Sequence, residues 1–405
     1  MKTCGLVVEY NPFHNGHVHH INQSRQTSEA DCIIAVMSGS FLQRGEPAII
    51  DKFHRAKAAL LSGADIILEL PYVYAVQGSN FFADGAVRVL NEIGVDSICF
   101  GSESGDISRF LYAYHQLEAH QNVFSKTLTA GLDEGLSYPS ASKYAYLAAG
   151  IDPSKLDLSK PNNILGFSYV KSIMALNNGI RPLTIKRIKN DYHDADIRHA
   201  IASATSIRQE LLKHEHISDA VQHALPDAMY EMLLDYQMKT NIWHTWEHYF
   251  PYLKYKVITM SPMELAEIQG VDEGLEHRIK KTAKTAVSFN DWVARIKTKR
   301  YTWTRLQRMF VHILTGTKKK TAARFLQDTQ APYVRLLGMT PTGRTYLSKQ
   351  KKKMSIPLIS RMPDLNHEML DIEERAQDVY YSILEPNVHT ALFQQELKGP
   401  IMVDP

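Results

Sequence analysis

Five short, largely apolar runs in the first half of the chain constrain its fold more than any other feature: Gly5–Glu9, Cys32–Met37, Asp65–Leu70, Ser97–Phe100 and Leu183–Arg187. Short apolar runs of this kind suit strands buried on both faces, as in parallel sheets. Stretches with helical spacing lie between them, at His17–Thr27, Lys52–Ser62, Gly78–Ile93, Ser108–Ala119, Leu165–Leu176 and Ser206–Leu212. The alternation predicts an α/β fold, a doubly wound Rossmann-like sheet with helices on both faces. In such sheets ligands bind beyond the carboxyl ends of the strands.

The texture changes near residue 215. His223–Lys239 and Trp243–Tyr255 read as helices, and helical spacing continues to about residue 330. Val334–Leu337, Gly343–Tyr346 and Pro357–Ile359 read as short strands, and His367–Phe393 as helix. A length of 405 residues suggests two or three domains. The expected division is 1–214, an α/β catalytic domain, and 215–405, mainly helical and basic. With 44% hydrophobic and 22% charged residues the chain can build an ordinary core, which excludes disordered and collagen-like classes. No run of about 18 apolar residues reads as a membrane span. The apolar stretch at Leu6–Val8 is too short for a signal peptide and reads as a first strand. Cys4, Cys32 and Cys99 all sit in strand-like runs, as buried thiols in a reducing, cytoplasmic setting would.

The most informative stretch follows the first run: Val7-Val8-Glu9-Tyr10-Asn11-Pro12-Phe13-His14-Asn15-Gly16-His17-Val18-His19-His20. Pro12 stops the strand, and a loop delivers His14 and His17 to the start of a helix. A helix N-terminus presents unpaired N–H groups and a partial positive charge that favour phosphate. Imidazoles three residues apart share one face of its first turn and donate hydrogen bonds without a fixed charge. Gly16 leaves room for a nucleotide backbone. His-x-Gly-His in this position resembles the nucleotidylyltransferase superfamily, which shares the motif with class I aminoacyl-tRNA synthetases. These enzymes attack the α-phosphate of ATP and release pyrophosphate.

A second stretch, Ile201-Ala202-Ser203-Ala204-Thr205-Ser206-Ile207-Arg208, resembles that superfamily's Ile-Ser-Ser-Thr-x-Ile-Arg motif, with Ala202 and Ala204 replacing variable or hydroxyl positions. Ser203, Thr205 and Ser206 at a helix start, with the Arg208 guanidinium, can clamp β- and γ-phosphates. Lys353-Met354-Ser355 looks like a synthetase signature but falls outside the α/β region and is set aside.

The chain as a whole resembles one bacterial family, the tRNA(Met) cytidine acetate ligases. The resemblance rests on Val7–His17, Met37–Pro47, Asp65–Pro71, Phe100–Glu103, Pro161–Leu165 and Arg300–Arg308, which span both halves. It implies that acetate is activated with ATP as acetyl-adenylate. The acetyl group then passes to N4 of the wobble cytidine of elongator tRNA(Met), giving N4-acetylcytidine. It places ATP, accompanied by Mg2+, at Val7–His20, and adds Gly101, Asn162 and Arg187. His14, His17 and Arg208 are the expected catalytic donors, arranged in advance where charge grows on the phosphoryl oxygens. No protein-held metal, membrane contact or obligate protein partner is expected. Tyr10 and Ser38-Gly39-Ser40-Phe41 are candidates for the lining of a small acetate pocket. No residue declares itself as the general base for N4.

Between Arg278 and Arg324 the chain carries fourteen cations against one acid, Asp291, although its overall net charge is only +3. Such a block suggests a polyanionic partner. Arg278, Lys280, Lys281, Arg295, Arg300, Arg305, Arg308, Lys318, Lys319 and Lys320 are the expected tRNA contacts, with Trp292, Tyr301 and Trp303 as interleaved stacking surfaces. Leu265–Ile279 resembles a helix-hairpin-helix. His244 and His248 have metal-ligand spacing but no third partner nearby, and read as part of an aromatic face. Two other functions are open: a small-molecule nucleotidylyltransferase making a dinucleotide-type cofactor, and a non-enzymatic tRNA-binding protein. The basic helical half weighs against the first, the intact His14, His17 and Arg208 against the second.

Overall fold

The computed structural model describes residues 1–177, 179–187, 202–214 and 216–404. All five expected strands form: β1 (Thr3–Val8), β2 (Cys32–Ser38), β3 (Ile66–Leu70), β4 (Ser97–Ser102) and β5 (Arg181–Lys186). They run parallel in the order β5-β4-β1-β2-β3. The inner runs are apolar throughout because both faces are covered. Ile34, Val36, Leu68 and Leu70 enter one core, while Leu6, Val8, Ile33, Ala35 and Ile67 enter another. The first core receives the helices Ser79–Glu92 and Pro161–Leu176, and the second receives Lys52–Leu61, Ala204–Leu211 and Asp227–Thr240. The chain builds β1-β2-β3 in one direction, then crosses over to build β4 and β5 in the other. The crevice at the carboxyl ends of β1 and β4 is therefore the topological switch point, where such sheets bind ligands.

The sheet does not end with the first 214 residues. β6 (Val334–Met339) pairs antiparallel with β3, and β7 (Leu358–Ile359) and β8 (Ile401–Met402) pair with β6. A buried charge cluster accompanies this return. Lys52 Nζ lies 2.6 Å from Glu69 and 2.9 Å from Glu396, and Arg335 pairs with the same two carboxylates. Charges this deep are tolerable only when paired, so β3, β6 and the C-terminal residues are tied to one another. A boundary at 214/215 is thus a proposal for the helices up to Gln327 alone.

Gly343–Tyr346, expected as a strand, lies inside the helix Pro341–Gln350. Thr340 caps that helix, accepting the Gly343 N–H at 3.3 Å, and Pro341 occupies its first turn. A side chain at Gly343 would come within 2.2 Å of the Asp65 carbonyl oxygen, so the close approach requires glycine. The stretch His223–Lys239 is broken by Pro226 into Asp219–Ala224 and Asp227–Thr240. The tail is likewise two helices, Glu368–Tyr381 and Pro386–Phe393. All three cysteines are buried free thiols. Among the described residues no helix is long and apolar enough to cross a membrane.

Candidate active site

β1 ends at the switch point, and Tyr10 turns the chain with a left-handed backbone (φ 52°). The Tyr10 ring is buried against Phe13 and His17, at 4.6 and 4.9 Å. His14 is the N-cap of the helix Asn15–Ser28. Its Nδ1 accepts the Gly16 N–H at 3.0 Å, and Nδ1 of His17 accepts the His14 N–H at 3.2 Å. The two rings stack at 3.8 Å. Because both Nδ1 atoms accept, each neutral ring carries its proton on Nε2 and offers it as a donor. Burial, with Arg187 and Arg208 nearby, pushes the His14 imidazole down to about 3. Burial and the neighbouring His14 hold His17 well below its ordinary value, and burial brings His20 down to about 4. These imidazoles are neutral donors at working pH.

The second motif reaches the first. Ser203 caps the helix Ala204–Leu211, accepting the Ser206 N–H at 3.1 Å. Thr205 is exposed and Ser206 buried. One turn on, Arg208 donates through Nη1 to the Asn11 carbonyl oxygen at 2.8 Å and lies 3.5 Å from Glu46. Ile201 lies outside the described residues.

The residues expected on β4 and beyond form one network on the other side of the switch point. Arg187, just past β5, donates to Asn162 Oδ1 at 2.9 Å. Asn162 Nδ2 donates to Glu103 at 2.7 Å, and the same carboxylate accepts the N–H groups of Asn162 and Asn163 at the start of the helix Pro161–Leu176. Gly101 keeps this space open: a Cβ there would approach the Arg187 side chain to 3.2 Å. Glu103 orients Asn162, and sequence reasoning assigned it no role.

Arg55 was also missed. Buried on the helix Lys52–Leu61, it donates to the carbonyl oxygens of Glu9 (2.5 Å), Ser38 (3.1 Å) and Gly39, holding the ends of β1 and β2 together. The available signal was its place, with Lys52, on the helix's buried stripe beside Ala56 and Ala59. Of the acetate-pocket candidates, Ser38 Oγ faces Glu9 at 3.4 Å. Ser40 and Phe41 are turned inward, Ser40 onto Gln377 at 2.6 Å and Phe41 between Tyr249 and Tyr380.

In the basic region the aromatic residues do not project as stacking surfaces. Trp292 is fully buried and its indole N–H bonds Thr282, Tyr301 is buried, and Trp303 is half-buried against the core. The spacing Phe289, Trp292, Val293, Ile296 is the core stripe of an amphipathic helix. The cations divide. Lys280 caps the helix Trp246–Thr259 through the carbonyls of Val257, Ile258 and Met260. Arg308 donates to the Gln43 carbonyl at 3.2 Å, and burial brings it down to about 10. Arg300 pairs with Glu273, Arg305 with Asp272, Lys318 with Glu267, Lys319 with Asp272 and Arg295 with Asp291. Arg278, Lys281, Arg295, Lys318 and Lys320 are exposed. The hairpin exists as the helices Pro262–Ala266 and Leu275–Ala283, joined through Gly270 and Gly274. His244 is a core residue, stacked on Tyr380 at 3.9 Å and bonded to Tyr236 and Tyr249.

Comparison with known proteins places this arrangement. A family model described as HIGH nucleotidyl transferase matches residues 1–396. A tRNA(Met) cytidine acetate ligase of Oceanobacillus iheyensis is 54% identical over the full length of both chains. One from Bacillus subtilis is 45% identical, covering all of this chain and 98% of that one. The crystal structure of apo Thermotoga maritima TmcAL superposes over the whole of both chains with a TM-score of 0.92 at 34% identity. Its complex with alpha-thio ATP gives 0.90 at 32% identity, again over the whole of both chains.

Proposed function

The chain belongs to the tRNA(Met) cytidine acetate ligase family, and from that membership we propose that it is an ATP-dependent ligase that acetylates N4 of the wobble cytidine of elongator tRNA(Met). The names of the relatives favour this reading over a cofactor-making nucleotidylyltransferase. One observation carries the ATP chemistry: His14 and His17, stacked at the switch point, have both Nδ1 atoms tied to backbone amides and both Nε2–H groups left to donate.

Acetate attacks the α-phosphorus, and negative charge grows on the phosphoryl oxygens. The two Nε2–H donors and the first N–H groups of the helix Asn15–Ser28 stabilise that charge without reorganising. Arg208 holds the pyrophosphate end, while Arg187 and Asn162 receive the nucleoside across the space kept open at Gly101. The donors here are N–H groups and guanidiniums, which suit phosphate oxygens rather than a cation; Mg2+ would travel with the nucleotide and neutralise its pyrophosphate. Exposed cations of the basic region, Lys281, Lys318 and Lys320 among them, dock the tRNA through its phosphates together with the half-buried Lys319, whereas Lys280 and Arg308 hold the fold.

The test is ATP–pyrophosphate exchange across small carboxylic acids, with and without tRNA. Acetate-dependent exchange, followed by transfer of labelled acetyl to tRNA(Met), is expected. Exchange driven only by a mononucleotide acceptor would overturn the ligase reading.

A further inference from the structure

Glu9 stands at the carboxyl end of β1, between the switch-point crevice and the loop that follows β2. One carboxylate oxygen is held. Oε1 accepts the Gln43 N–H at 2.7 Å and faces Ser38 Oγ at 3.4 Å, while Arg55 fixes the residue's own carbonyl. Oε2 has no hydrogen-bond partner among the described residues. The loop that holds Oε1 is itself held from the basic half of the chain. Arg308 bonds the Gln43 carbonyl, Trp246 bonds that of Gly45 at 2.9 Å, and a Cβ at Gly45 would lie 2.3 Å from the Arg308 backbone nitrogen. The segment joining the adenylation crevice to the basic region thus carries a carboxylate with one oxygen anchored and the other available.

The charged groups around Glu9 are Arg44 and Glu46 on that loop and Arg55 on the helix Lys52–Leu61. On the helix Pro161–Leu176, burial together with the Glu9 charge holds the Tyr169 hydroxyl well above its ordinary value. Burial outweighs the two arginines and pushes the Glu9 carboxyl above its usual range, and a raised carboxyl is a stronger proton acceptor once ionised. A carboxylate in the crevice would repel acetate and triphosphate, but it suits a hydrogen-bond donor, and the exocyclic amine of cytosine is one.

We propose that Glu9 accepts a hydrogen bond from N4 of the target cytidine through Oε2 and takes its proton during acetyl transfer. The assignment rests on the ligase reading above. The N4 lone pair forms a bond to the acetyl carbonyl carbon, and the bond between that carbon and the adenylate phosphate oxygen breaks. The electron pair leaves with AMP, and the N4 proton passes to Glu9. The same contact selects cytidine, since uridine presents a carbonyl oxygen there.

The experiment bypasses the ATP step: synthetic acetyl-adenylate is supplied to the full-length protein with unmodified tRNA(Met), and single-turnover transfer is followed against pH. Wild-type transfer should rise with pH and level off. Glu9→Gln keeps an oxygen to accept the Gln43 N–H, and at saturating tRNA it should slow transfer about 100-fold or more and abolish the rising limb. Glu9→Asp should retain the limb with a lower plateau. A Gln variant that is slow at every pH but keeps the wild-type limb would show a structural role only and overturn the proposal, as would an Asp variant at full rate or a flat wild-type profile. If the wild type transfers no acetyl from acetyl-adenylate, the ligase reading itself fails and this role fails with it.

Discussion

Arg208 Nη1 donates to the carbonyl oxygen of Asn11 at 2.8 Å, joining two motifs that lie 197 residues apart. Asn11 in turn accepts the Ile49 N–H through Oδ1 at 2.7 Å. The guanidinium is therefore oriented before nucleotide arrives, and the loop it holds is braced from the opposite side.

Arg208→Ala should lower acetate-dependent pyrophosphate exchange about 100-fold or more, the usual cost of removing one preorganised donor. The loss should be the same with and without tRNA. Normal exchange with a failure confined to acetyl transfer would move Arg208 to the RNA site.

His14 has two roles that substitution can separate. Its Nδ1 caps the helix Asn15–Ser28, which leaves the proton on Nε2 for the donor role proposed above. His14→Ala removes both, at a capping cost of about 1 kcal/mol. Asn is a good N-cap residue, so His14→Asn should stay within about 1 kcal/mol of wild-type stability in urea unfolding, while exchange falls about 100-fold or more. Wild-type exchange in the Asn variant would remove the catalytic role.

The parallel half of the sheet and both nucleotide motifs were legible in the sequence because each is local. An unalternating run means a strand buried on both faces, and His14 and His17 open a helix directly after one. β6–β8 were not legible as part of that sheet. Nothing near Val334 says that it will pair antiparallel with β3, since that pairing depends on Arg335 meeting Glu69 across 266 residues. Trp292 was misread for a related reason: an aromatic flanked by cations looks like a stacking surface until its neighbours at helical spacing, Phe289 and Ile296, are seen to share its buried face. Arg55 shows the opposite case, a charge on an apolar stripe that the pattern flags but whose carbonyl partners only the fold supplies.

Arg55→Met would leave the carbonyls of Glu9, Ser38 and Gly39 without their donor in a buried place. Each such loss costs about 1–3 kcal/mol, so the variant should unfold at markedly lower urea concentration. Activity measured well below that transition should also fall, because the β1 and β2 ends drift apart. An unaffected unfolding midpoint would show that those carbonyls find other partners.

Acid should destabilise the protein through its buried neutral histidines. His312 is almost fully buried, with Nδ1 on the Tyr72 hydroxyl at 2.9 Å and Nε2 on the Val76 carbonyl at 3.1 Å, and burial brings it down to about 3. The unfolded chain takes up a proton near pH 6.5 that the folded chain refuses. The stabilisation is therefore complete above pH 6.5 and is lost progressively as pH falls toward 3, by about 1.4 kcal/mol per pH unit for each such histidine. Urea midpoints at pH 7 and pH 5 should differ accordingly. His312→Gln should be less stable at pH 7 but lose about 2 kcal/mol less on going to pH 5; an equal loss in both proteins would show that this histidine is not the neutral group assigned.

The basic region supplies the last prediction. Lys318 and Lys319 pair with Glu267 and Asp272 at 3.0 and 2.9 Å, and Lys320 is exposed. Pairs this open to solvent contribute little to stability, so these lysines can exchange their carboxylates for phosphates at small cost. Replacing all three with Ala should weaken tRNA binding and flatten its dependence on salt by roughly 0.7–0.9 log–log units for each phosphate that the lysines no longer neutralise. The weakening should be similar for different tRNAs, because bonds to phosphate position the RNA without reading its sequence. Acetate-dependent pyrophosphate exchange should be unaffected, since the adenylation crevice is built from β1, β4 and the second motif. Filter-binding titrations at several salt concentrations decide the matter. An unchanged slope and affinity would show that these lysines serve only their acidic neighbours, and would move the tRNA-binding surface to the exposed cations Arg278, Lys281 and Arg295.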